Sequence, residues 1–405
     1  MNQTRTSQSK ISRAQDSKFD NYLYVATLGR QTLKKHIVKL RFVKWQREKS
    51  VFVLFAPSRG KDLPDWLQNA ISNHAQSEIA SESFAGKITK IEVLIDQDGE
   101  KFYFKTAAQL FAEKYGKQIF TTHSYYLDSH FVKIEYSPIP VEDYHYQSLE
   151  FDFQAEHYSD QILQNPISRW QREVTIQHLL KVFDKGQTIL EIGSGTGIET
   201  VQLALGGLNI FATDISEKML QILFERARRL GVYETIKSRV ISSSQIAELA
   251  FDPNLPNGGF DGAFSSFGVM NLERNLRKFS KDLSGLLRPK SKVVFAVWNR
   301  FCISEMIARV LKRDSSIERM SGYVKADEYS RYSLDSYSYS RNEFIAQFPE
   351  FEQVSCFALP TLIPPSEYSS RVRSFLRFKR ADLAIGSLPI LSRIGDNFVI
   401  TMRIK

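Results

Sequence analysis

The chain has 405 residues, 42% hydrophobic and 24% charged, a normal composition for a soluble globular protein and enough length for two cores. Its net charge of +9 is concentrated: residues 1–50 hold twelve Lys and Arg against three Asp and Glu. Such a field draws phosphates, nucleic acid or anionic lipid, or belongs to a solvated basic tail. No run nears the roughly 18 apolar residues that span a bilayer, and Met1–Asp20 lacks a signal-peptide core. Two cysteines, Cys302 and Cys356, are too few for a disulfide framework or a thiolate zinc site. A cytoplasmic protein with reduced thiols, no transmembrane segment and no metal centre is expected.

In chain order, residues 1–18 read as a disordered basic tail. Residues 19–137 read as a β-rich domain with strands at 22–28, 37–45, 50–56, 87–95, 101–106 and 131–136. Short helices are expected at 61–73 and 107–115, with a turn at Asp96–Gly99. Pro138, Pro140 and the acidic-aromatic stretch that follows suggest a linker over 138–150. From 151 to 405 strands and helices alternate, the rhythm of a parallel sheet. Strands are expected at 188–192, 209–213, 238–241, 260–265 and 292–298, and two more, at 351–357 and 397–404, pair as a hairpin at the sheet edge. Helices fill 197–205, 216–230 and 271–287, the last stopped by Arg288-Pro289-Lys290.

The strand Leu190-Glu191-Ile192 runs into Gly193-Ser194-Gly195-Thr196-Gly197 at the mouth of a helix. Glycine there permits positive φ and removes the Cβ that would block a ligand lying on the backbone. A helix start also offers free N–H groups. A dinucleotide fingerprint requires a later third glycine, where Ile198 stands. Asp214 closes the next strand at the spacing from which a carboxylate reaches ribose hydroxyls, although it could also cap the following helix.

The G-x-G-x-G turn after an acidic residue, with Asp214, resembles class I S-adenosylmethionine-dependent methyltransferases. The resemblance runs from about Gln154 to Lys405 and includes Phe260–Gly268, similar to the fourth-strand motif of small-molecule methyltransferases. It implies an α/β Rossmann-like domain with a mostly parallel seven-stranded sheet. Glu191, Gly193, Ser194, Gly195, Gly197, Asp214, Ile215, Ser265 and Phe267 would then bind S-adenosylmethionine, with Phe267 facing the sulfonium. Tyr158 and Arg169 resemble the family's lid, covering the donor and pairing with its carboxylate. Where relatives carry an adenine-binding acid, Ser244 or Gln245 stands and would supply a neutral acceptor.

Residues 24–73 resemble the split β-barrel of the deazaflavin- and flavin-dependent nitroreductase relatives, through Ala26–Thr32, Ile37–Phe42 and Ala56–Gly60 followed by Asp65–Asn69. In that family Arg30, Arg59 and Lys61 would hold the phosphate of a flavin or deazaflavin. Gln31, Leu33 and Lys35 depart from the pattern, so the barrel can equally serve dimerisation, as a homodimer, or substrate capture.

No catalytic residue is identified; His157, His178 and Cys302 read as surface or packing groups. The Asn/Asp-Pro-Pro-aromatic tetrapeptide used on base amines is missing after the fourth strand, which favours a small-molecule or lipid-like acceptor. Residues 300–339 and 359–365 would shape its pocket. An enzyme that also reduces its substrate, and one directed to RNA by the basic first fifty residues, are the alternatives.

Overall fold

The computed structural model describes residues 22–28, 35–45, 48–55, 63–81, 84–94, 101–116, 130–139, 143–312, 318–324, 336–365 and 373–405. The chain divides into two compact units, Met1–Phe153 and Gln154–Lys405.

In the first unit β1 (Tyr22–Leu28), β2 (Lys35–Trp45), β3 (Ser50–Phe55), β4 (Glu78–Ala80), β5 (Ala85–Leu94) and β6 (His130–Ile139) close into a barrel in the order β1–β2–β3–β6–β5–β4. All its pairings are antiparallel. Strand β3 is buried along its whole length because it serves two cores. Val51, Val53 and Phe55 join Leu23, Val25 and the Trp66 of α1 (Asp65–Ser72). Phe52 and Leu54 turn the other way, toward Ala107 and Phe111 of α2 (Lys101–Tyr115).

Two expectations are corrected here. Residues 101–106, expected as a strand, are the first turns of α2: Phe104 and Phe111 both pack on Phe131, a helical spacing that alternation obscured. The expected linker 138–150 is largely regular, since Pro138 pairs within β6 and α3 (Asp143–Gln164) runs on through the unit boundary. No proline interrupts the chain until Pro166, which opens α4 (Pro166–Val182) behind an Asn165 cap. The turn at 96–99, the tail 1–18, Arg30, Arg59 and Lys61 lie outside the described residues.

The second unit follows β7 (Thr188–Ile192), α5 (Ile198–Leu205), β8 (Asn209–Asp214), α6 (Glu217–Arg229), β9 (Ile236–Val240), β10 (Phe260–Ser265), α7 (Val269–Leu272), α8 (Leu276–Ser284) and β11 (Leu287–Trp298). Then come α9 (Ile303–Lys312), the small ribbon of β12 (Tyr323–Val324) and β13 (Ser336–Tyr337), α10 (Arg341–Ala346), β14 (Phe351–Ala358), α11 (Lys379–Gly386) and β15 (Asn397–Ile404). Seven strands form one sheet in the order β14–β15–β11–β10–β7–β8–β9. Successive residues face opposite cores, Ile189, Phe264 and Val294 on one side, Leu190, Ala263 and Phe295 on the other.

The sheet is mixed rather than mostly parallel, because β15 runs antiparallel to both β11 and β14. The two late strands do pair, but α11 lies between them, so they are no hairpin. The helix expected over 271–287 is two, α7 and α8; Asn275 starts the second by accepting from Lys278 N at 3.0 Å. Arg288-Pro289-Lys290 belongs to β11, the helix having ended at Ser284. Among the described residues no helix is long and apolar enough to cross a membrane, and no group of His, Cys, Asp and Glu could hold a metal ion.

Candidate active site

At the carboxyl end of β7 the chain turns through Gly193, Gly195 and Gly197, whose φ values are +73°, +53° and +75°. The three differ in what a Cβ would meet. At Gly193 it would collide with the Val269 side chain, and at Gly197 with Leu223 Cγ at 2.5 Å. At Gly195 its nearest neighbour is Tyr158 Cε1, 3.6 Å away, so of the three only this glycine has room for a Cβ. The turn is also stitched to the next strand: Gly193 N and Ser194 N donate to Thr213 O at 2.8 and 2.9 Å. Those two N–H groups are therefore occupied by the scaffold.

Asp214 bridges the turn and the following helix. Its Oδ2 accepts from Gly195 N at 2.7 Å and its Oδ1 from Ser216 N at 2.9 Å. The cap of α6 is Ser216, which accepts from Met219 N, so Asp214 is aimed at the glycine turn. Ile215, half-buried, links the two.

Beside the turn lies a shallow cleft of about 270 Å³, partly open to solvent, lined by Tyr158, Arg172, residues 193–196, Ile198, Glu199 and Ser266. Arg172 forms a buried ion pair with Glu199, and its guanidinium lies 4.6 Å from the Phe267 ring centroid. The Tyr158 hydroxyl also interacts with Arg172, and burial pushes its pKa up. Tyr158 is positioned by its own helix: Ser159 Oγ lies 2.6 Å from Thr196 Oγ1 and accepts from Arg226 at 2.8 Å. Ser194 Oγ, buried at the cleft wall, has no hydrogen-bond partner among the described residues.

Several of the expected residues lie outside the cleft. Arg169 is exposed, and the arginine in the cleft is Arg172, one helical turn further along α4. Glu191 lies behind the turn, where its Oε2 accepts from Thr200 Oγ1 at 2.6 Å. Burial pushes its pKa up to about 8, against the opposing effect of that hydrogen bond. Glu199 is the carboxylate that lines the cleft. Phe267 holds a non-glycine φ of +50° and offers a ring face to Arg172. Ser265 Oγ donates to Ile192 O, leaving Ser266 as the serine of this strand end that lines the cleft.

Ser244 and Gln245 lie in the 3-10 turn after β9, outside the cleft lining; Ser244 is exposed and Gln245 half-buried. Sequence reasoning missed Arg172, Thr196, Glu199 and Ser266. The available signals were a second arginine at helical spacing from Arg169 and an acid in the first turn after the glycines.

His157 is exposed, and His178 Nε2 lies 2.8 Å from Thr401 Oγ1, with its pKa lowered mainly by burial. The buried Cys302 and half-buried Cys356 are both free thiols, and burial pushes each up to about 11.

The residues present suit an adenosyl ligand with an amino-acid tail. Asp214 and an orphaned Ser194 hydroxyl supply polar partners, Gly195 leaves the approach open, and Arg172 carries a charge matched to a carboxylate. A family model described as a methyltransferase domain matches residues 190–295. The chain is similar to a demethylmenaquinone methyltransferase of Tropheryma whipplei, with 25% identity over 164 residues, 38% of this chain and 64% of that protein. It is also similar to a protein N-lysine methyltransferase of Danio rerio, with 27% identity over 143 residues, 35% of this chain and 62% of that protein. These alignments span less than two thirds of either relative. Among solved structures, the geranyl diphosphate C-methyltransferase of Streptomyces coelicolor A3(2) aligns at a TM-score of 0.37 and 14% identity, covering 57% of this chain and 79% of that one. The glycine turn and the Asp214 carboxylate both lie inside residues 190–295, the stretch that matches the methyltransferase-domain model.

Proposed function

We propose that the protein transfers a methyl group from S-adenosylmethionine to a small organic or lipid-like acceptor. The observation that carries this reading is the Asp214 carboxylate, held against Gly195 N at the mouth of the one glycine whose side is open. When bound, the donor would supply an electrophilic methyl on a sulfonium, which passes in line to the acceptor as the carbon–sulfur bond breaks and S-adenosylhomocysteine leaves. The chain's part is to hold and orient. Asp214 accepts from the ribose hydroxyls, Ser194 Oγ gains the partner it lacks, and Arg172 meets the carboxylate while Glu199 fixes its guanidinium. Tyr158 closes the cleft over Gly195 and excludes water. Glu191 and Gly197 act from behind, by shaping the turn. An acceptor of quinone type is favoured by the demethylmenaquinone methyltransferase relative.

We assign the barrel of the first unit to capture of substrate or cofactor, or to pairing of two copies. A flavin or deazaflavin there would show as visible absorbance of the purified protein.

Calorimetry with S-adenosylhomocysteine tests the central reading, followed by methyl transfer from labelled donor to a panel of demethylated quinols. Folded protein with no affinity for donor or product would overturn it.

A further inference from the structure

Strands β11 and β14 each run antiparallel to β15, so β14 points the same way as β7, β10 and β11. The chain therefore leaves the sheet at Ala358 and rejoins it at Asn397, both at the edge that carries the glycine turn. This segment is tied down from inside. The buried Asp382 carboxylate accepts from Thr361 N, Leu362 N and Ile363 N at 2.9, 2.6 and 2.8 Å, clamping the loop after β14 onto α11.

What the clamp presents outward is apolar. Thr361 and Ile363 are buried, whereas Leu362 between them is 51% exposed. Phe378, one helical turn before Asp382, is 51% exposed, and Leu388 and Ile390 past the end of α11 are 51% and 78% exposed. Arg377, Lys379, Arg380 and Arg393 are all exposed around them, the Arg377 guanidinium 4.9 Å from the Phe378 ring centroid. Between residues 376 and 395 the only acid is the buried Asp382, so nothing on this stretch offsets the four cations.

Exposed apolar side chains of this size, interleaved along the chain with charges of one sign, match the boundary between lipid headgroups and acyl chains. A basic protein partner would be repelled here, and a neutral apolar partner would leave the cations unused. We propose that this edge is a membrane-docking surface for anionic lipid. Phe378, Leu388, Ile390 and Leu362 enter the interface, and the basic side chains pair with lipid phosphates. The surface stands on its own geometry; its use, delivering a lipid-like acceptor to the carboxyl edge of the sheet, rests on the methyltransferase reading.

Flotation of the full chain with phosphatidylcholine vesicles, with and without phosphatidylglycerol, tests it. Binding is expected only with phosphatidylglycerol, weakening as salt rises. The double substitution Phe378→Ser with Ile390→Ser should weaken vesicle binding by about tenfold or more, while affinity for S-adenosylhomocysteine stays at the parent value. Arg377→Gln with Arg380→Gln should weaken binding and flatten its salt dependence. Indifference of the parent protein to anionic vesicles would overturn the proposal. So would undiminished binding by the Phe378/Ile390 variant, which would leave the basic first fifty residues as the attachment. Loss of self-association in ultracentrifugation, with vesicle binding unchanged, would reassign the surface to a second copy and overturn it too. Vesicle binding without S-adenosylhomocysteine affinity would leave the docking surface standing and sink the proposed function instead.

Discussion

At the scale of single residues, the three glycines of the turn do different work although their φ values are alike. Gly197→Ala forces a methyl against Leu223 and a left-handed backbone on alanine, so a loss of about 1–3 kcal/mol in stability is expected by thermal unfolding. Gly195→Ala has only Tyr158 ahead of it; it should cost less stability and instead weaken S-adenosylhomocysteine binding in calorimetry. Asp214→Asn should weaken the same binding by roughly ten- to a hundredfold, the range for one lost hydrogen bond to a charged group. Glu191 supplies a pH signature. Its folded-state pKa is raised to about 8 by burial, so the neutral acid is favoured in the fold. The stability it contributes is full below the ordinary carboxylate pKa and is lost as pH climbs through about 8. Melting temperatures measured across that window should fall, and Glu191→Gln should flatten that part of the slope.

At the scale of elements, the buried pair of Arg172 on α4 and Glu199 on α5 joins α4 to the helix that follows the glycine turn. Arg172→Met leaves Glu199 buried without its partner and should cost about 3–5 kcal/mol; adding Glu199→Gln should restore part of that loss in a double-mutant cycle. The pair also marks the limit of what the sequence discloses. The strand, turn and acid of Leu190–Gly197 and Asp214 are local patterns, and local patterns survive into one dimension. Arg172 and Glu199 are 27 residues apart, and nothing short of packed helices says that they meet. Likewise Arg169 and Arg172 share a helix and a residue type, yet only the burial of Trp170 and Gln171 beside them decides which one turns inward. In the first unit the closed barrel was legible from its aromatic and β-branched runs. Helix α2 was not, because Phe102 and Phe104 alternate as a strand does while Phe104 and Phe111 pack as a helix does. The antiparallel course of β15 is hidden for a similar reason: direction is a property of partners, and its composition is that of any buried strand.

At the scale of the whole molecule, two units with separate hydrophobic clusters answer separately to a ligand that binds one of them. In scanning calorimetry S-adenosylhomocysteine should raise the unfolding transition of the 154–405 unit, by an amount that grows with the logarithm of its concentration. A uniform shift of the entire profile would mean that the chain melts as one body.

The return of the chain to the carboxyl edge between β14 and β15 has an evolutionary corollary. The described residues of this return, 359–365 and 373–396, lie outside every strand of the sheet, whereas the glycine turn and Asp214 belong to β7 and β8 on the far side of β10. Exposed positions on that return, such as Leu388 and Ile390, can thus vary without touching the strands that carry the turn and Asp214.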